Sequence, residues 1–473
     1  MDTKKLRQKI LDLAIRGKLV PQDPTDEPAS VLLQRIRAEK ERLIAEGKIK
    51  RPKKSKTPSS ESYYTNLPSG WEKTTLKDIA WFGGGKTPST ENKQFWKDGT
   101  VNWVTSKDMK EPIINHSQIK LSDIGAVQNT LYPKGSLLMV TRSGILRRTL
   151  PLAILGEAAT VNQDIKTICT PYTELNEYLY YYFSGREKEI LEKFQKDGTT
   201  VESIDFEKFQ EIEILLPPLQ EQIRIIHQLK YLFNVQSNID SETSELKRLI
   251  NDSKSKILEL AMQGKLVPQD PTDEPASEML KRINPNAKIL TDSQHYPKLS
   301  YPDSWCLVSI EDINSYKSEN VNPSNTPDRT FEVYSVPTFP TCHPEYLTGQ
   351  EIGSTKQSVK KDDILLCKIN PHINRVWEVK NSSDFPQIAS SEWIVIRARC
   401  LHTPFLKLYF ESPEFRKLLC SQVSGVGGSL TRAQPAIVKK YLVPLPPMNE
   451  QKRIVDQVNS LFEVLYSIAN SVN

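Results

Sequence analysis

ILDLAIRGKLVPQDPTDEPASVLLQRI at residues 10–36 returns as ILELAMQGKLVPQDPTDEPASEMLKRI at 257–283, with 17–30 identical to 264–277. A second pair is LPPLQEQIRIIHQLKYLF at 216–233 and LPPMNEQKRIVDQVNSLF at 445–462. A weaker third is LPSGWEKTTLKDI at 67–79 and YPDSWCLVSIEDI at 301–313. The offsets of 247, 229 and 234 residues are too long for a solenoid and mean a duplicated module of about half the chain. Order carries as much as presence. In the middle, the EQ segment runs straight into the GKLVP segment, whereas the two are split between the termini, with 450–473 holding the first and 1–20 the second. Together the ends supply 44 residues against 47 in the middle, so the arrangement is circular and is cut open within one repeat.

Periodicity identifies the repeated piece. Ile454, Val458, Leu461, Leu465 and Ile468 step by 4, 3, 4 and 3, and Leu6, Ile10 and Leu13 continue in that style, the seam of a helix that buries one stripe. Ile223, Ile226, Phe233, Leu246, Ile250 and Ile257 form the matching stripe in the centre. A central helix over 219–263 starts after Pro217 and Pro218, which favour a helix start but not its interior, and stops at Gly264. At ~1.5 Å per residue it runs about 65 Å. Two such stripes in one chain can bury each other as an antiparallel pair.

Between the helices lie two segments of similar size, 66–216 and 301–445, that read as mixed α/β. Short strands are expected at 137–141, 165–170, 364–368 and 393–397, and helices at 175–193 and 404–423. The whole divides into a helical region 1–47, a basic linker 48–65, the first mixed domain 66–216, a central long-helix region 217–283, a linker 284–300, the second mixed domain 301–445, and a terminal helix 446–473 that pairs with the central one. The fold class is α/β (α+β): two mixed domains separated by long antiparallel helices in a pseudo-twofold circular arrangement.

Composition excludes several classes. With 38% hydrophobic and 26% charged residues and no apolar run near the ~20 residues of a membrane helix, neither a span nor a signal peptide is expected, and the protein is read as cytoplasmic. Six cysteines stand singly with no CxxC pair, and no histidine pair has metal-ligand spacing, so no metal is expected. The net charge of +5 is weak support for nucleic acid, because Lys48, Lys50, Arg51, Lys53, Lys54 and Lys56 of the linker account for more than all of it.

Enzymatic signatures fail one by one. GGGKT at 83–87 imitates a phosphate loop, yet Ala80 stands where that motif needs glycine and Pro88 cannot donate a backbone bond. An adenine methyltransferase is expected to place Asn or Asp before Pro-Pro and an aromatic, but both Pro-Pro pairs here follow leucine. Asp328 and Glu332 lack the lysine that a common restriction nuclease carries two residues on.

Taken together, LPSGWEKTTLKDI, the LPPLQEQ and LPPMNEQ helix starts, the twice-used GKLVPQDPTDEPAS and the duplication itself resemble the specificity (S) subunits of Type I restriction-modification systems, over essentially the whole chain. The resemblance implies two target recognition domains held apart by two long antiparallel helices, each reading half of a bipartite site in double-stranded DNA. It implies two modification (M) subunits docked on this framework and restriction (R) subunits completing the cleaving complex. The chain is expected to be non-catalytic, with no cofactor of its own, while S-adenosylmethionine, ATP and Mg belong to the partners. Pseudo-twofold symmetry matches the local twofold of duplex DNA, with half-sites about one turn, ~34 Å, apart. Because the domains differ in sequence, the site is expected to be asymmetric.

Arg and Lys can bond guanine edges or phosphates, and Ser, Thr and Gly backbone groups can position a duplex. The candidates in the first domain are Gly84, Gly85, Lys86 and Thr87, then Thr105, Ser106 and Lys107, then Arg142, Ser143, Arg147 and Arg148, with Gln163, Thr199 and Thr200. In the second they are Lys368, Asn370, His372, Asn374 and Arg375, then Ser391, Ser424, Gly427, Ser429 and Arg432. His372 reads equally well as an ordinary loop histidine.

Overall fold

Asp2 accepts a hydrogen bond from the Lys5 amide and so caps helix α1 (Thr3–Ile15), which ends where Gly17 turns left-handed at φ +64°. That helix opens a computed structural model describing residues 2–51, 67–196, 201–289, 301–380, 383–424 and 431–471. The chain divides into two units, Met1–Ser241 and Glu242–Asn473.

In the first unit, Pro28 sets the start of α2 (Ala29–Ala45). Glu72–Thr75 and Glu213–Leu216, at the two borders of the mixed domain, pair antiparallel and clasp it shut. Between them lie two sheets. The larger runs Trp81–Gly84, Ile165–Cys169, Leu137–Val140, Leu152–Leu155 and Ile113–Ile114; the smaller runs Lys120–Leu121, Val101–Val104 and Ala159–Val161. Leu137–Val140 is buried at every position, as a strand covered on both faces must be. The helix expected over 175–193 is two, α3 (Thr173–Gly185) and α4 (Glu187–Phe194). The backbone leaves the helix at Arg186, φ −112° and ψ 16°, whose side chain bonds the Tyr182 hydroxyl and the Glu213 carbonyl; Gly185 just before it packs on α1, where a Cβ would lie 2.6 Å from Ile15.

Helix α5 (Leu219–Met262) begins directly after Pro217 and Pro218, and its 44 residues continue from the first unit into the second. Gly264 follows it at φ +68°. In the second unit come α6 (Ala276–Ile283) and a border pair Cys306–Ser309 with Leu442–Leu445. A five-stranded sheet runs Asn320–Val321, Lys356–Ser358, Gln387–Ser390, Thr330–Tyr334 and Glu345–Thr348; a three-stranded one runs Val376–Glu378, Ile364–Cys367 and Trp393–Ile396. The helix expected over 404–423 is again two, α7 (Thr403–Glu411) and α8 (Pro413–Ser421). Pro413 has no N–H to continue α7, and Ser412 caps α8 by accepting from the Phe415 amide. The last helix is α9 (Met448–Ser471).

The repeats build one staple in each unit. The Trp71 indole donates to Glu221 at 2.9 Å, and Arg224 forks onto Asp26. The Trp305 indole donates to Glu450 at 3.0 Å, and Arg453 reaches Asp273 at 2.7 Å. Gln222 and Gln451 donate to the Pro217 and Pro446 carbonyls, both at 2.8 Å. Glu221, Gln222, Glu450 and Gln451 are all buried. Burial raises both glutamate pKa values, against the indole bonds that pull them down.

Each unit also carries a helix pairing with part of α5. In the first, Gln236 donates to the Thr3 carbonyl and the Arg7 guanidinium lies 3.7 Å over the Phe233 ring, so α1 runs antiparallel to α5. In the second, the Lys254 ammonium sits 3.7 Å over the Tyr466 ring and 5.7 Å over Phe462. There Leu258, Ala261 and Met262 share a core with Ile454, Val455 and Val458. Of the expected seam, Ile226, Ile250, Ile454 and Val458 are buried. Ile223, Phe233, Leu246, Ile257, Leu461 and Leu465 are half-buried, while Ile468 is exposed.

Candidate nucleic-acid interface

In the first unit, neighbouring strands end together and carry the candidate residues to one edge. Trp81–Gly84 lies beside Ile165–Cys169, and that strand beside Leu137–Val140. Val101–Val104 lies beside Ala159–Val161. Past these ends, the Thr87 hydroxyl donates to Gln163 at 2.6 Å, the Asn162 amide to the Val104 carbonyl and the Thr141 amide to the Asp164 carbonyl. Gly84–Thr87, Thr105–Lys107, Gln163 and the loop from Arg142 therefore adjoin one another. Gly85 is required there: a Cβ would fall 1.5 Å from the Val161 carbonyl oxygen. Thr105 is fixed to Asp108 through both its amide and hydroxyl at 2.8 Å. Lys86, Thr87, Ser106 and Lys107 border this edge; Lys86 and Lys107 are exposed.

The arginine loop is less free than its composition implies. Ser143 caps a turn of 3-10 helix, Gly144–Arg147, and Arg142 is bridged to Ser203. The Arg147 guanidinium is bound to the buried Glu202 carboxylate, which that bond, above other influences, holds below its ordinary pKa. Arg142 and Arg148 remain exposed, and among the described residues neither has an ion-pair partner. Thr199 and Thr200 lie outside the described residues.

The second unit repeats this construction with other side chains. Ile364–Cys367 leads into a 3-10 turn, Pro371–Ile373, and Ile369 is bridged to Arg432, as Arg142 is to Ser203. Asn370 and Asn374 both adopt left-handed backbone, at φ +48° and +53°. Several candidates are already bonded to other groups of the chain, though Arg432 stays exposed. Asn374 donates to the Phe410 carbonyl, Arg375 to the Ile369 carbonyl, and Arg432 pairs with Glu392 at 3.1 Å. Lys368 is half-buried, its backbone joined to Glu392 and Ala433. Asn370 accepts from the Thr431 amide, and Ser424 bonds the Arg432 carbonyl. His372 and Ser391 face solvent. Gly427 and Ser429 lie outside the described residues.

Sequence reasoning missed Glu202 and Glu392, because the partner of a loop arginine is set by distant strands. It also passed over Lys93, Trp96, Lys97 and Trp103, although two tryptophans among lysines within 11 residues were a readable signal. Among the described residues no cluster of three or more His, Cys, Asp or Glu is arranged to hold a metal ion, and no helix is long and apolar enough to cross a membrane.

A family model for the Type I restriction modification DNA specificity domain matches residues 68–248 and 302–471. The Type I restriction enzyme EcoAI specificity subunit of Escherichia coli is 25% identical over 546 aligned residues, covering 97% of this chain and 89% of that one. The EcoEI specificity subunit of the same species is 29% identical, covering 98% and 89%. A chain from the solved structure described as "Structural basis underlying complex assembly and conformational transition of the type I R-M system" superposes with a TM-score of 0.56 at 16% identity, over 86% of this chain and 94% of that one. That likeness bears on the fold alone.

Proposed function

The chain belongs to the Type I restriction-modification specificity subunits, non-catalytic recognition subunits, and from that premise we propose that each mixed domain binds one half of a bipartite, asymmetric site in double-stranded DNA. Bound there, the chain directs adenine methylation by two M subunits and cleavage when R subunits join. S-adenosylmethionine, ATP and Mg act on those partners, and this chain contributes no cofactor; it works in the cytoplasm. The observation that carries the reading is the twin construction. The same staple and the same strand, 3-10 turn and bridge occur in both units, while the side chains offered differ: Arg142 and Arg148 in one, His372 and Ser391 in the other. One scaffold presenting two sets of contacts suits two different half-sites.

The test is to co-express the chain with its neighbouring M subunit and map methylated adenines across the host genome, with and without it. Methylation at one bipartite, asymmetric motif that disappears without the chain is expected. Methylation that persists unchanged, or is absent with both proteins present, would favour a scaffold that binds only protein. Arg148→Ala is expected to cost about 1 to 3 kcal/mol of DNA affinity. A loss confined to one base pair of the first half-site marks base reading, and a uniform loss marks phosphate contact. An unchanged binding curve removes the loop from the interface.

A further inference from the structure

We propose that the first unit carries a stacking slot for an unpaired nucleobase, formed by Trp96 and Trp103 and rimmed by Lys93 and Lys97. The inference rests on the DNA-binding reading above. The two indoles meet edge to face, with centroids 5.1 Å apart and planes at 81°. Both indole N–H groups are already used, Trp96 on the Ser89 carbonyl and Trp103 on the Lys86 carbonyl, which fixes the rings; Trp103 is buried, so the partly exposed Trp96 is the ring that offers a face. A cavity of about 520 Å³ opens over them, walled also by Thr90 and by Ile119, which is 46% exposed. Isolated apolar groups on a surface need no explanation, but a partly exposed tryptophan and an exposed isoleucine beside a buried tryptophan at one cavity do.

Charge selects the occupant. No carboxylate lines the cavity, and Lys93 and Lys97 are exposed with no ion-pair partner among the described residues. An apolar floor with a cationic rim suits a flat ring attached to an anion. A nucleobase with its flanking phosphates has that form, since every base has a π-face and phosphates attract lysine. Position agrees: Thr87, also on the cavity wall, is the residue bonded to Gln163 at the strand-end edge. A base in the slot stacks on Trp96 while its phosphates meet Lys93 and Lys97.

The probe is a fluorescein-labelled 20-mer of deoxythymidylate, which has no partner strand and no half-site to read. Anisotropy is measured with the full chain at two salt concentrations, alongside a methylated-site duplex. Trp96→Ala is expected to weaken 20-mer binding on the order of tenfold, and Trp96→Phe to retain most of it. Lys93→Glu with Lys97→Glu, both at exposed sites where folding is not at stake, is expected to weaken it as well and to flatten its salt dependence. Wild-type affinity for the 20-mer in both Trp96→Ala and the double lysine variant overturns the slot. So does failure of the wild type to bind the 20-mer while it binds the duplex. Failure to bind either nucleic acid overturns the DNA-binding reading itself. Loss of M-subunit association in Trp96→Ala with 20-mer binding intact would assign the slot to an aromatic side chain of the partner and overturn the proposal.

Discussion

Gly17 and Gly264 hold the two copies of the GKLVP segment at φ +64° and +68°, a region that costs an ordinary L-residue about 1–2 kcal/mol. Each also lies against the border of its domain. A Cβ on Gly17 would sit 2.6 Å from Pro68 and 2.9 Å from Trp71, and one on Gly264 would sit 2.5 Å from Pro302 and 3.2 Å from Trp305. Gly17→Ala and Gly264→Ala are each expected to destabilise by about 2 to 4 kcal/mol in urea unfolding, strain and overpacking together. A shift under 0.5 kcal/mol would show that the close approach is not enforced. Glu221 and Glu450 give a pH prediction. Burial raises both folded-state pKa values above the ordinary 4.5. Their contribution is therefore fully present below that value and is lost as pH rises through the folded-state pKa. The unfolding free energy of wild type minus that of Glu221→Gln/Glu450→Gln is expected to fall as pH rises above 4.5; a flat difference would contradict the assignment.

At the scale of elements, α5 derives its stability from its partners. Its mean hydropathy is low and its middle, 237–249, is largely exposed, including Leu249 at 48%. Burial concentrates where α1 and α9 cover it. Ile454 of α9 is fully buried, so Ile454→Ala is expected to cost about 2 to 5 kcal/mol through lost burial and a cavity. Exposed Ile468, though on the same periodic stripe, is expected to tolerate alanine within 0.5 kcal/mol. Equal losses at both, measured by urea unfolding, would mean that the stripe is buried along its full length. Periodicity located this helix to within a residue of its observed end, because two prolines and a glycine punctuate it. The broken helices at Arg186 and Ser412 were harder to read, since Arg186 leaves the helix where it bonds the Tyr182 hydroxyl and the distant Glu213 carbonyl, and Ser412 signals a start only once Pro413 is taken as the first residue of a new helix.

For the whole molecule, the split repeat predicts a circular permutant. A chain with residues 1 and 473 joined by a short linker and reopened near Asn284 to Ala287 is expected to fold, with circular dichroism and a cooperative melt near wild type. Loss of the folded state would sink the circular reading. The duplication, the fold class, the long helix and family membership were all legible in the sequence, because identity at fixed offsets and apolar spacing are properties of a linear string. The contacts were legible only in part. Glycine, lysine and arginine composition pointed to loops that adjoin one another in the first unit. Composition could not separate Arg148, which has no ion-pair partner among the described residues, from Arg147, equally exposed but held by Glu202, or from Arg375 and Asn374, which bond the chain's own carbonyls. Periodic burial is written into neighbours three and four residues apart. The freedom of a side chain is decided by partners 55 residues away in the case of Arg147 and Glu202, and only the folded strands bring such partners within hydrogen-bond reach.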